Sequence, residues 1–175
     1  MRKTRDLTEG RVLTSLIRFA MPVFAALFLQ SLYGGVDLLV VGQFSHTADV
    51  SGVSTGSVLM QTVAMVVTGL TMGITIFVGQ KIGEGRREEA GRAIGTGILL
   101  FTALGILLTG LLVGGAGTLA RLLHAPEEAY EQTCAYIRIC GIGGVFIVLY
   151  NLLGAVFRGI GDSRTPLVTV CIACV

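Results

Sequence analysis

Residues 93–120 read AIGTGILLFTALGILLTGLLVGGAGTLA, and no charged residue interrupts them between Arg92 and Arg121. An apolar run of about 18 residues or more reads as a membrane-spanning helix, because roughly 20 residues at 1.5 Å rise cross a hydrocarbon core of about 30 Å. The same test succeeds upstream, where Asp49 is the only formal charge between Gln43 and Lys81. Across all 175 residues, 53% are hydrophobic and 14% charged, with no tryptophan. A soluble domain carries about a quarter charged residues. Here the few charges gather in short clusters between long apolar stretches, which is the pattern of a polytopic membrane protein.

Working outward from 93–120, the sequence predicts an all-α transmembrane bundle. Helices are expected at about 13–43, 51–79, 91–117 and 130–157, with a fifth opening near 165 behind Thr165-Pro166. Pro suits a first helical turn, whose N–H groups have no partner within the helix. The fifth helix has about ten residues before Val175, too few to cross a bilayer. The chain is therefore expected to be the incomplete N-terminal part of a longer protein. The basic N-terminus (Arg2, Lys3, Arg5, Arg11) resembles a secretory signal, but the following apolar run is too long and lacks a small-residue cleavage site. It reads as a retained first helix.

Lys and Arg set the orientation. The N-terminal tail is basic, with Arg18 also near it, and the 80–92 connection holds Lys81, Arg86, Arg87 and Arg92. The 158–165 connection holds Arg158 and Arg164. The 43–51 connection has neither residue type, and that at 117–130 has only Arg121 against Glu127 and Glu128, with Arg138 a little further on. This alternation predicts a cytoplasmic N-terminus.

Several functions are disfavoured. A net charge of +2, with no basic patch interleaved with aromatics, gives no case for nucleic acid. No G-x-x-x-x-G-K-[S/T] loop occurs, and the glycines of Gly159-Ile-Gly161 follow a membrane helix and not a strand, so no nucleotide loop is expected. Cys134, Cys140, Cys171 and Cys174 lie in or beside apolar segments and read as packing residues despite the C-x-x-C spacing of the last two. His46 and His124 are isolated loop residues without neighbouring ligands. No cofactor and no enzymatic activity are expected.

Asp37 is the one acidic residue deep inside the first span, in Ser-Leu-Tyr-Gly-Gly-Val-Asp. A carboxylate at a helix centre costs around 2.5–3.5 kcal/mol on insertion scales, so such residues turn toward a bundle interior or an aqueous cavity. Gln30, Gly34 and Asp37, spaced by four and three, share a helical face. A cation or proton site is one reading; an interhelical hydrogen bond, or a side chain reaching to the helix end, is the other. On the second helix Ser54, Ser57, Gln61, Ala64, Thr68, Thr71 and Thr75 recur at spacings of three and four. That stripe suits a solute cavity or a helix contact equally. On the fourth, Tyr136, Cys140, Gly143, Ile147, Asn151 and Gly154 trace a face whose deep polar member is Asn151. Gly52/Gly56, Gly69/Gly73, Gly91/Gly95 and Gly110/Gly114 favour close helix packing.

Taken in order, these residues resemble the DinF-like branch of the MATE (multidrug and toxic compound extrusion) family. The likeness rests on Pro22 with Asp37, Gly79-Gln80-x-x-Gly83, Tyr136-Ile-Arg-Ile and the stretch from Asn151 through Arg158-Gly-Ile-Gly-Asp-Ser-Arg-Thr to Pro166. The resemblance implies the N-terminal lobe of a twelve-helix, two-lobe transporter in a bacterial inner membrane. Such a protein exports cationic or amphipathic drugs, small organic molecules, in exchange for Na⁺ or H⁺. Carried over, Asp37 is the cation-coupling carboxylate, which would hold any bound Na⁺, and Pro22 the helix-bending hinge. Gln30, Gly34, Gln61, Thr68 and Asn151 are then candidate cavity residues. The family's further cation ligands belong to the fifth and sixth helices. Two rivals remain: a lipid-linked oligosaccharide flippase, expected to carry Arg or Lys on its inner faces, and a non-transporting membrane scaffold.

Overall fold

The computed structural model of the protein describes residues 12–44 and 47–173, so His46, Cys174 and the basic residues up to Arg11 lie outside the described residues. Every regular element in it is helical: α1 (Val12–Phe44), α2 (Thr47–Gly83), α3 (Arg87–Leu122), a 3₁₀ turn (Glu127–Ala129), α4 (Tyr130–Ile142), α5 (Gly144–Gly159) and α6 (Arg164–Ala173). Three helices are long and apolar enough to cross a membrane, and the α4–α5 pair makes a fourth if taken as one broken span. α1 runs as one helix through Pro22.

The fourth span departs from the single helix expected over 130–157. α4 and α5 meet at Gly143 with a bend of 53°. Glycine is the cause. A Cβ on Gly141 would stand 2.9 Å from the Leu112 Cβ, and one on Gly144 would stand 2.8 Å from the Thr109 Oγ1. With hydrogens there instead, α3 comes close to both halves, and the bend at Gly143 lets each half pack along it. The backbone ladder resumes at once, with Ile147 N–H donating to the Gly143 carbonyl at 3.1 Å.

α2, α3, α4 and α5 form one packed block, whereas α1 pairs with α6 and reaches that block through α2. The block's core has two clusters. Leu112, Ala116, Ala120, Cys134 and Ile137 fill the end where α4 begins. Val67, Phe101, Val148 and Leu152 fill the middle, where α2, α3 and α5 meet. Cys134 is buried in the first cluster, a packing residue. Of the four glycine pairs, only Gly52/Gly56 packs tightly: Gly52 abuts Gln132 and Gly56 lies under the Tyr136 ring, whereas the other three pairs have nothing within 4 Å of an added Cβ.

Helix ends are closed by one device. After α2, Gly85 takes φ +76; after α5, Gly161 takes φ +83; after α3, His124 takes φ +53. In each case that residue's own N–H and the one after it turn back to carbonyls of the last turn, as Gly161 N–H does to the Arg158 carbonyl at 3.1 Å and Asp162 N–H to the Phe157 carbonyl at 2.9 Å. Glycine adopts this left-handed conformation without strain; histidine does not.

Candidate functional site

The polar seam lies between α2 and α5, held close by small residues. At its lower end Gly159 sits against the Thr75 carbonyl and Val78, and Gly79 approaches the Gly159 carbonyl. Thr75 Oγ1 donates to the Ala155 carbonyl at 3.0 Å, and buried Thr71 donates to the Thr68 carbonyl at 2.9 Å. One turn further along, the Asn151 Nδ2 donates to the Ile147 carbonyl at 2.9 Å, which turns its Oδ1 toward α2. That oxygen lies 2.9 Å from Thr68 Oγ1, which is also 2.8 Å from the Ala64 carbonyl. A hydroxyl has one proton, so Thr68 serves one of these two acceptors at a time. The pair is open at the surface.

The predicted stripe on α2 therefore divides. Thr71 and Thr75 face α5, Thr68 stands at the edge of the contact, and Ser54 and Gln61 are exposed. Gln61 lies two turns from Thr68 on the same face. Gln30 and Gly34 are exposed on α1. Asp37 belongs to α1 by its backbone, and its side chain lies outside the described residues. Of the candidate cavity set, the structure brings Thr68 and Asn151 into contact. A groove of about 240 Å³ lined by Phe28, Ser31, Leu32, Gly35, Val36 and Leu39 runs along α1. At 100° per residue it occupies the side opposite Gln30, Gly34 and Asp37.

Charge sorts to the two ends of the block. The start of α2 meets the start of α4, where Gly52 abuts Gln132, and the end of α3 meets the same region, where the Tyr130 hydroxyl donates to the Gly117 carbonyl at 3.2 Å. Asp49, Glu127, Glu128 and Glu131 belong to that end, where Arg121 lies over the Tyr130 ring. The opposite end joins the end of α2, the start of α3 and the end of α5, and carries Lys81, Arg86, Arg87, Arg92, Arg158 and Arg164. Its turn is laced by Lys81–Glu84 at 2.9 Å, Arg86–Glu89 at 2.5 Å and Arg92–Glu88 at 2.7 Å. The hydrogen bond from Lys81 holds the Glu84 carboxyl below its ordinary pKa. By sequence alone Arg158 belongs to the 158–165 connection. The structure puts it in the last turn of α5, half-buried, with its guanidinium folded back toward Gly154. The four-residue spacing of Gly154 and Arg158 was the available signal.

The family model described as MatE matches residues 22–175. The chain belongs to the MatE family. Among similar MatE relatives is the probable multidrug resistance protein YpnP of Bacillus subtilis, 31% identical over 99% of this chain and 39% of that protein. Another is the probable multidrug resistance protein NorM of Thermotoga maritima, 26% identical over 87% of this chain and 33% of that protein. A solved MOP superfamily transporter from Pyrococcus furiosus has the same fold, with a TM-score of 0.87 at 23% identity, covering 99% of this chain and 38% of that one. The chain thus spans less than two-fifths of the length of each of these proteins. This chain is a MatE-family protein whose helices are long and apolar enough to cross a membrane.

Proposed function

We propose that this chain is the N-terminal lobe of a cation-coupled exporter of drugs and other small organic molecules, often cationic, with Asp37 as the coupling carboxylate. The observation that carries the reading is the match to the MatE family from residue 22 onward, which takes in Asp37 on a spanning helix. A buried carboxylate favours its neutral form unless a cation compensates its desolvation. Exchange of Na⁺ or H⁺ for a substrate at such a site links the two fluxes, and each charge moved across the membrane is worth about 2.3 kcal/mol per 100 mV. Thr68 and Asn151 supply an uncharged polar edge suited to organic solutes. The gathering of Lys and Arg at one end of the block supports a cytoplasmic N-terminus in the bacterial inner membrane. The flippase alternative is less favoured, because the α2–α5 seam carries hydroxyls and an amide along its length and its cation only in the last turn.

The test is Asp37→Asn in the full-length protein. Asn keeps the volume and the hydrogen bonding but neither attracts a cation nor releases a proton. Drug efflux from proteoliposomes under an imposed Na⁺ or H⁺ gradient is expected to cease while the purified protein stays monodisperse. Export at the wild-type rate would make Asp37 structural. Should the Asn variant not fold, Asp37→Glu, which keeps the charge, takes its place and is expected to retain gradient-dependent efflux.

A further inference from the structure

Arg158 is the only charged residue of α5. A long cationic side chain in the last turn of a spanning helix ordinarily reaches outward, toward water. Arg158 does the reverse. Its Nη1 lies 3.3 Å from the point where a Cβ on Gly154 would stand, one turn nearer the middle of the helix. Asn151, Gly154 and Arg158 follow spacings of three and four, so the guanidinium lies on the face where Asn151 meets Thr68.

No carboxylate among the described residues pairs with Arg158. The ion pairs at this end of the block join Lys81, Arg86 and Arg92 to Glu84, Glu88 and Glu89. Asp162, four residues along, is engaged at the start of α6, where its carboxylate accepts from the Arg164 and Thr165 N–H groups at 3.0 and 3.2 Å and from Thr165 Oγ1 at 2.5 Å. A half-buried guanidinium without a counter-charge is unfavourable, and its planar fork of donors matches an oxyanion of phosphate type.

We propose that Arg158 holds a phosphate-type oxyanion beside Gly154, at the Lys- and Arg-rich end of the α2–α5 seam. The position fits the headgroup of an anionic phospholipid. It lies in the last turn of a span, at the end where Lys81, Arg86, Arg87, Arg92 and Arg164 set up a field that concentrates anionic lipid. The bare backbone at Gly154 makes room for the guanidinium itself to lie against the helix, which holds its donors at the seam. This site is separate from Asp37 and does not depend on the export reading.

The experiment uses the purified full-length protein, native mass spectrometry, and phosphatidylglycerol or phosphatidylcholine supplied in equal amount. Wild type is expected to retain a phosphatidylglycerol that Arg158→Gln loses, with phosphatidylcholine retention unchanged between the two. Arg158→Lys, which keeps the charge and loses the fork, is expected to bind about tenfold more weakly. Gly154→Leu, which leaves the charge but displaces the guanidinium from its place against the helix, is expected to lose the lipid as well, and decides the matter if Arg158→Gln does not fold. Inorganic phosphate at millimolar concentration identifies the source: displacement of the lipid makes free phosphate a ligand of the same site, and persistence makes the site specific for the headgroup. Equal phosphatidylglycerol retention by wild type, Arg158→Gln and Gly154→Leu would overturn the proposal and assign Arg158 to a carboxylate elsewhere in the protein.

Discussion

Leu152 on α5 and Leu27 on α1 are the same residue in equally apolar helices, yet Leu152 is 0% exposed and Leu27 is 60% exposed. The contrast extends to whole regions. The α2–α5 block has two packed clusters, whereas α1, among its described side chains, contributes Ala26 as its buried apolar residue and presents Phe24, Phe28, Leu32 and Leu39 outward. In water such a difference would be visible as polar and apolar faces. In a bilayer the outward face meets hydrocarbon as apolar as the core, so composition no longer separates the two. Fit then discriminates: where helices touch, a side chain has neighbours shaped around it, and where they meet lipid it does not.

The sharpest way to break this comparison is Leu152→Ala against Leu27→Ala. The first leaves a cavity among Val67, Phe101 and Val148 and is expected to cost about 2 kcal/mol or more. The second trades one lipid contact for another and is expected to change stability by less than about 0.5 kcal/mol. Unfolding of the full-length protein in mixed micelles measures both, and equal losses would abolish the distinction between block and surface.

A finer test exchanges glycines. Gly144→Ala drives a methyl against Thr109 Oγ1, and an expected loss of about 1–3 kcal/mol follows from overpacking. Gly35→Ala on α1 has open space around it and is expected to gain about 0.5–1 kcal/mol, because alanine restricts the unfolded backbone. Opposite signs in the same denaturation assay support the reading, and a neutral Gly144→Ala contradicts it. The smallest effect concerns the end of α3. His124→Gly removes the strain of a left-handed histidine at φ +53 and is expected to stabilise the protein by about 1 kcal/mol. Loss of stability there would show that the imidazole makes contacts that outweigh its backbone.

The number and order of spans were legible because charge and apolar length are large, summed signals. The 143 break was not. Gly141, Gly143 and Gly144 leave the run apolar, and glycine is common enough in membrane helices that its presence alone does not mark a bend. Spacing told that Gly69 and Gly73 share a face, as do Gly52 and Gly56, but not that only the second pair has a helix against it. The polar stripe on α2 was legible as a stripe, and its division into buried Thr71 and exposed Gln61 required the position of α5. Thr68 and Asn151 were each identifiable as polar residues in apolar helices, but nothing in sequence joined residues so far apart in the chain. Arg158 was visible as a charge at a boundary. Its inward fold depends on the absence of a side chain at Gly154, which is a statement about space and not about polarity.

The turns that close α2 and α3 also bear on biosynthesis. A chain that crosses a bilayer repeatedly must carry alternate turns through the hydrocarbon while it is being inserted. An unpaired backbone group there costs several kcal/mol. At the first turn Gly85 N–H returns to the Ile82 carbonyl and Arg86 N–H to the Lys81 carbonyl; at the second, His124 N–H returns to Arg121 and Ala125 N–H to Ala120. Whichever of the two is translocated, these carbonyls travel already paired within a few residues of chain. The exported hairpin therefore needs no neighbouring helix to shield that part of its backbone during passage.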